Sequence, residues 1–403
     1  MIKKLKKKYW ALRKKLGWWL MFKVIFPSTY SKAVKEKKKI KPKKAIFIEM
    51  RFAEITDSFR LVYDRMKAEG YEVSEHYLQN TLPGKKAFIE RCRKMLIDMA
   101  DAKYVFLNDS CNVTSCIKLR RGTQIFQLWH ACGAFKKFGM STAELKFGEN
   151  RKTLLRYPNY GNLKYVTVSS PEVIWAYEEA MNLDHKDHQV IPAGISRTDI
   201  FYDRAFLEAA RQKVYSVFPQ AEGKKIILYA PTYRGRVAKA ESPDELDLVR
   251  MKEVLGGEYV FLAKHHPFVK EPPVIPESCR DFAMDVTKYL QIEDLLAVSD
   301  ICISDYSSVI FEFSLFEKPM IFFAYDIEDY NDWRGFYYDF DQLTPGPVFT
   351  ETEEVVDYIA NIEERFDRAE VHAFREKYMS ACDGHATDRI MQLVYGKRFE
   401  EIS

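Results

Sequence analysis

The chain has 403 residues, 47% hydrophobic and 30% charged, which is long for one domain, sufficient for two, and too apolar for a disordered polypeptide. Seven scattered cysteines, an odd number, make a poor disulfide framework and imply a reducing, cytosolic compartment. The net charge of +4 conceals an asymmetry: residues 1–44 hold 17 Lys or Arg and one acid, Glu36, for +16, which leaves −12 over the rest.

The basic segment comes first. In "MIKKLKKKYWALRKKLGWWLMFKVIFPSTY" the residues Leu5, Tyr9, Leu12, Leu16, Trp19 and Leu20 fall on one face of a helix, and lysines and arginines fill the other. Trp10, Leu12, Leu16, Trp18 and Trp19 would anchor such a helix in a membrane surface, while the cations meet anionic lipid. A solubilising tail or a nucleic-acid arm are the blander readings, but an arm that tracks phosphates has no need of three tryptophans. The apolar run is far below the ~20 residues that cross a bilayer, and no cleavage site of a signal peptide follows it. We therefore expect residues 1–43 to form a peripheral membrane segment, with no nucleic acid as partner.

From residue 44 apolar strand-like runs alternate with helical patterns. "KAIFIEM", "YEVSEHYL", "YVFLND", "TQIFQLW", "YVTVSS" and "HQVIPAG" form one series, and "KKIILYAPTY", "EYVFLAKHH", "ICISDYSS" and "PMIFFAYD" a second. Strand–helix alternation predicts parallel sheets covered by helices, in an α/β fold of two Rossmann-like domains facing a cleft. The break falls at "FPQAEGKK", dividing the body into 44–218 and 219–403.

Ligands of open α/β sheets bind beyond the carboxyl ends of the strands. Four polar clusters fall there: Trp129-His130 with Lys136-Lys137, "YAPTYRGR", "KHHP" and "SDYSSVIFE". In the last, Ser307 and Ser308 open a helix, where free N–H groups bind anions or where serines simply cap. Arg234, Arg236 and Lys264 would balance a pyrophosphate. His130 and His266, each a common structural residue alone, become acid–base candidates as a pair from opposite domains. There is no Walker loop and no G-x-G-x-x-G fingerprint. Neither Cys111/Cys116 nor His185/His188 has the company a metal site needs, so no tightly bound metal or cofactor is expected.

Taken in order, "LWHACGAFKKFG", "GISRTDIFYD", "YAPTYRG", "KHHPF", "SDYSSVIFEF", "KPMIFFAYDIEDY", "RGFYYDF", "PGPVF" and "DGHATDR" resemble the motifs of the CDP-glycerol glycerophosphotransferases of wall teichoic acid synthesis. The resemblance covers Trp129 to Gly384. It implies a GT-B-type fold at the cytoplasmic face of the membrane. It also implies transfer of a polyol phosphate, glycerol phosphate before ribitol phosphate, from CDP-glycerol or CDP-ribitol to a lipid-linked saccharide or polyol-phosphate acceptor, with release of CMP. On this resemblance His130 is the general base, with Trp129, Lys136 and Lys137 on the acceptor side. Thr232, Arg234, Lys264, His266, Asp305, Ser307, Ser308, Glu312 and Arg334 meet the donor. The chain departs from the family pattern where Ala131-Cys132 separate His130 from Gly133, and where two histidines precede Pro267. The second role is carried onto His266, which adjoins the proline, because along a strand His265 points to the other face. A GT-B glycosyltransferase using a sugar nucleotide and a non-catalytic membrane scaffold are the competing readings.

Overall fold

The computed structural model describes residues 2–80, 82, 84–145, 148–235, 240–243, 245–327 and 335–402, with backbone only for 2–8, 11 and 186. Two wholly parallel sheets of six strands make up its framework. The first contains β1 (Lys41–Glu49), β2 (Glu72–Tyr77), β3 (Ala102–Leu107), β4 (Gln124–Gln127), β5 (Tyr165–Thr167) and β6 (Val190–Ile191), in the order 2-1-3-4-5-6. The second contains β7 (Lys225–Tyr229), β8 (Tyr259–Ala263), β9 (Ala283–Asp285), β10 (Ile301–Ser304), β11 (Met320–Phe323) and β12 (Val348–Phe349), in the order 12-11-10-7-8-9. Ten of these strands are the apolar runs read from the sequence. The other two, β9 and β12, are short edge strands with too few residues to carry a period. Strands covered on both faces must be apolar along their length, and all five residues of β8 are buried.

Each sheet reverses its strand order once, between β1 and β3 and between β7 and β10. Neighbouring connections leave in opposite directions at such a point and open a crevice at the carboxyl ends. The polar strand ends of this chain converge on these two crevices.

The termini do not respect a simple division into two halves. Helix Ile2–Trp19 leads through a π-helical stretch, Leu20–Ile25, into helix Phe26–Glu36. Met21, Phe22, Phe26, Tyr30 and Ala33 are buried, and this second helix packs on helix Lys85–Met99. The independent basic segment expected to run to residue 43 therefore ends near residue 20, because the apolar side chains beyond it belong to the first core. At the other end, helix Ala386–Val394 packs on helix Asp57–Ala68, and Val394 accepts a hydrogen bond from the Tyr104 hydroxyl at 2.6 Å. The last helix of the 219–403 segment thus covers the first sheet.

Two glycines mark where the halves touch. Gly133 has φ +60°, and a Cβ there would sit 2.3 Å from the Phe311 ring. Gly194 has φ +85°, and a Cβ would meet the Ala381 carbonyl oxygen at 2.2 Å. Neither position tolerates a side chain.

Candidate active site

At the first crevice β4 ends at Gln127, and the chain turns through Trp129, whose φ is +60°. That conformation is an outlier for a bulky L-residue and persists only where the surroundings hold it. Here the indole is buried, with ring centroids 4.9 Å from Phe138, 5.9 Å from Tyr177 and 6.1 Å from Tyr160. The turn brings His130 out of the strand line, half-buried, with its ring stacked on Trp129 at 4.6 Å.

His130 Nδ1 lies 2.6 Å from the Asn108 carbonyl oxygen. A carbonyl only accepts, so Nδ1 carries the proton and Nε2 keeps its lone pair. Burial lowers the proton affinity of His130; Asp109 and the Asn108 bond work against this, while Arg51 and Arg197 add to it. The imidazole is therefore neutral near pH 7, as a general base must be.

Behind His130 stands a polar network that the sequence reading did not single out. Glu49, at the end of β1, accepts from Thr56 Oγ1 at 2.9 Å and from Asn108 Nδ2 at 2.7 Å. Asn108 Nδ2 also reaches Thr56 Oγ1 at 2.9 Å. Arg51 Nε pairs with Asp109 at 2.5 Å. The signal was present in "IEMR" and "FLND", two apolar runs that end in charged or amide residues.

Lys136 and Lys137, expected on the acceptor side, lie in a loop that bridges to the second half. Lys136 pairs with Phe336 in an antiparallel bridge, Lys137 N donates to the Gly335 oxygen at 3.1 Å, and Tyr337 N donates to Phe135 at 3.1 Å.

At the second crevice the Asp305 carboxylate accepts from Thr232 N at 2.8 Å and Tyr306 N at 2.6 Å. Arg234 reaches Asp305 at 2.8 Å, Asp326 at 2.5 and 2.9 Å, and the Thr232 carbonyl at 2.5 Å. Although its burial opposes the charge, Asp305 and Asp326 hold the guanidinium firmly protonated. Arg234 thus braces the strand ends instead of presenting a free cation to a donor. Lys264 behaves likewise: its ammonium donates to the carbonyls of Thr287 at 2.9 Å and Leu290 at 2.5 Å, and burial depresses its proton affinity.

The two neighbouring histidines differ. His265 is buried, with Nδ1 2.6 Å from Ser242 Oγ. His266 is half-exposed, between the rings of Tyr233 at 4.8 Å and Phe268 at 4.6 Å. Ser307 and Ser308 precede helix Val309–Ser314, and Ser307 Oγ accepts from Val309 N at 3.4 Å. They line a cavity of about 140 Å³ with Glu312, Glu293 and Arg197. Arg197, from the "GISRTD" stretch that follows β6, crosses between the halves. It donates to Glu293 at 3.0 Å and, by its other terminal nitrogen, to Glu312. Arg197 was missed because its partners are more than 90 residues away. Arg236 and Arg334 lie outside the described residues.

A larger hollow of about 370 Å³, lined by Met140, Leu154, Leu155, Tyr160 and Met181 among others, carries no charged side chain. It lies in the first half, and its Tyr160 ring is one of those packed on Trp129.

The model of a family described as CDP-glycerol:poly(glycerophosphate) glycerophosphotransferase matches residues 30–396. The chain belongs to this family. Among curated relatives, the Bacillus spizizenii teichoic acid poly(ribitol-phosphate) polymerase is 34% identical over 368 residues. The match covers 90% of this chain but 58% of that polymerase, so the chain spans little more than half of it. The teichoic acid ribitol-phosphate primase of the same organism is 33% identical, with 87% of this chain and 90% of the primase covered. The Bacillus subtilis teichoic acid glycerol-phosphate primase is 30% identical over 73% of this chain and 74% of its own. The wall teichoic acid polymerase TagF, solved also after a CDPG soak, shares the fold, with TM-score 0.75, 22% identity, and 98% of this chain covered. That likeness supports the GT-B-like arrangement of two parallel six-stranded sheets.

Within this chain several family motifs turn out to be joints. Asp199 of "GISRTDIFYD" accepts from Ala386 N at 3.1 Å and Thr387 N at 2.7 Å, at the start of the helix in "DGHATDR". The Tyr202 hydroxyl donates to the Cys382 carbonyl at 2.7 Å. These motifs tie the returning C-terminus to the first half.

Proposed function

We propose that this protein transfers a polyol phosphate from a CDP-polyol to a hydroxyl of a teichoic-acid-type acceptor and releases CMP. The observation that carries the reading is the state of His130: neutral, its Nδ1 proton fixed on a backbone carbonyl, and its Nε2 lone pair left for a proton. The acceptor hydroxyl gives its proton to Nε2 as its oxygen attacks the polyol-side phosphorus. The bond from that phosphorus to the bridging oxygen breaks, and CMP leaves with the electron pair. Phosphoryl transfer of this kind depends mostly on positioning and charge stabilisation. Ser307, Ser308 and His266 meet the donor phosphates, and Glu312 sits in the same cavity. Thr232, Arg234, Asp305 and Lys264 act one step back, by shaping those loops. Residues 44–218 then form the acceptor side and 219 onward the donor side, with the last helix returned to the first.

The family and the relatives' names support CDP-glycerol or CDP-ribitol as co-substrate. Four ribitol-phosphate relatives match 85–92% of the chain at 31–34% identity, against 73–88% at 27–30% for four glycerol-phosphate relatives. This margin favours ribitol phosphate over the glycerol phosphate of the first expectation. No helix among the described residues is long and apolar enough to cross a membrane. Helix Ile2–Trp19 instead exposes Trp10, Leu12, Leu16 and Trp19, a face suited to an anionic membrane surface and a lipid-linked acceptor. Trp18 is no part of that face, since it packs on Phe22 at 5.2 Å and Tyr157 at 5.6 Å.

Incubation with CDP-ribitol, CDP-glycerol and UDP-sugars, with a lipid-linked disaccharide as acceptor, tests the reading. Release of CMP with a product heavier by one or more polyol phosphates is expected. Release of UDP would mean sugar transfer, and no turnover with any donor would leave a scaffold.

A further inference from the structure

Glu49 is 1% exposed at the end of β1, beside the point where the first sheet reverses. A charge this deep needs compensation, yet no Lys or Arg among the described residues pairs with it. Its partners are neutral donors: the Thr56 hydroxyl and the Asn108 amide, both on Oε2, and the Arg51 N–H, 3.5 Å from Oε1. Two donors converging on one oxygen suit a carboxylate, whose charge strengthens both bonds. A glutamine in its place would direct an NH₂ group at one of these partners.

Asn108 is the next link. It is 4% exposed, and its Nδ2 is shared between Glu49 and Thr56. This pins the residue, although its Oδ1 is buried with no hydrogen-bond partner among the described residues. The backbone carbonyl of the same residue receives the His130 Nδ1 proton at 2.6 Å. The chain Glu49–Asn108–His130 thus runs from β1 through the end of β3 to the turn after β4, across three adjacent strands.

We infer that Glu49 is a positioning residue, which through Asn108 fixes the ring plane and tautomer of His130. This rests on the reading of His130 as the base for the acceptor hydroxyl. Partners of this kind, one bond removed from the reacting group, orient it and raise its basicity. The charged groups that act on the imidazole are Asp109, Arg51 and Arg197. As His130 takes up a proton, the Asp109 carboxylate and the Asn108 carbonyl favour the imidazolium and the two guanidinium groups oppose it.

The test uses the full chain with Glu49→Gln, His130→Ala and the double variant. Two readouts are needed: CMP release as a function of pH, and carbethoxylation of His130 by diethylpyrocarbonate as a function of pH, followed by peptide mass. Glu49→Gln should lower kcat by about tenfold, in the range for such outer partners, with little change in KM for the CDP-polyol. In the His130→Ala background it should cost nothing more, because it acts through the missing ring. The midpoint of His130 carbethoxylation should fall by roughly half a pH unit, because an Asn108 carbonyl no longer held in place gives the protonated ring less support. Losses that multiply in the double variant, or an unmoved midpoint in folded Glu49→Gln, would overturn the inference. If wild type releases no CMP from any CDP-polyol, the functional reading falls, while the carbethoxylation midpoint still decides the role of Glu49. Should Glu49→Gln not fold, Thr56→Val removes one donor from the same carboxylate oxygen. It must then show the same non-additivity with His130→Ala, and independent losses would again refute the role.

Discussion

Replacement of His130 by alanine separates chemistry from packing at this site. The catalytic part follows from the lost base: general-base assistance is worth ~10²–10⁴ in rate, so turnover should drop at least about 100-fold. The structural part is smaller. The change removes a ring stacked on Trp129 at 4.6 Å and leaves the Asn108 carbonyl without its 2.6 Å donor. A buried acceptor left bare costs about 1–3 kcal/mol, and this half-exposed position lets water in, which favours the lower end. One kcal/mol corresponds to a fall in Tm of roughly 2–4 °C for a domain of this size. The folded fraction at 25 °C should therefore hardly change while activity collapses. The assay is CMP release from CDP-ribitol and CDP-glycerol between pH 5 and 9, beside a thermal melt. In wild type, burial sets the His130 pKa below its usual ~6.5, so kcat/KM should climb along an acid limb below that value and stay level through neutrality. The variant should lack this limb. The sign for stability follows too. The unfolded chain binds the His130 proton more readily than the folded one. This residue's contribution is then fully present above about pH 6.5 and lost as pH falls through the folded value. A variant that keeps more than a tenth of wild-type turnover, or keeps the acid limb, refutes His130 as the base.

The other expectations concern neighbouring features. His266→Ala should cost at least about 100-fold in turnover with folding intact, while His265→Ala should lower the melting temperature and leave the folded enzyme active, because its ring is buried on Ser242; activity assays with melts of both decide the register. Arg234→Ala leaves Asp305 and Asp326 without their cationic partner and should destabilise by about 3–5 kcal/mol in denaturant titration, whereas a folded protein with merely weaker donor binding would show that the guanidinium meets the donor directly. Deletion of residues 1–19 should abolish pelleting with anionic vesicles yet keep activity on a short water-soluble acceptor, whereas deletion to residue 40 should unfold the protein, since it removes the buried Phe26 and Tyr30. Equal pelleting with neutral vesicles would mean that the cations matter less than the apolar face.

The sequence by itself determined the class of fold, most strands, and the places where polar residues gather. Buried parallel strands must be apolar from end to end, so each strand's abrupt polar ending was visible locally. The step into His130, the serines at 307 and 308, and the amphipathic pattern of residues 2–19 are all short-range signals of this kind. Contacts across the chain decided the rest. Arg234 looked like a free cation until the fold brought Asp305 and Asp326 around it. Lys264 looked the same until the carbonyls of Thr287 and Leu290 closed on its ammonium. Glu49 and Asn108 are 59 residues apart and become partners only because β1 and β3 are neighbours in the sheet. The same holds for Arg197, which meets Glu312 across 115 residues. Local periodicity reports which face of a segment is buried, but a charge's partner is set by strand order, and strand order is a property of the whole chain.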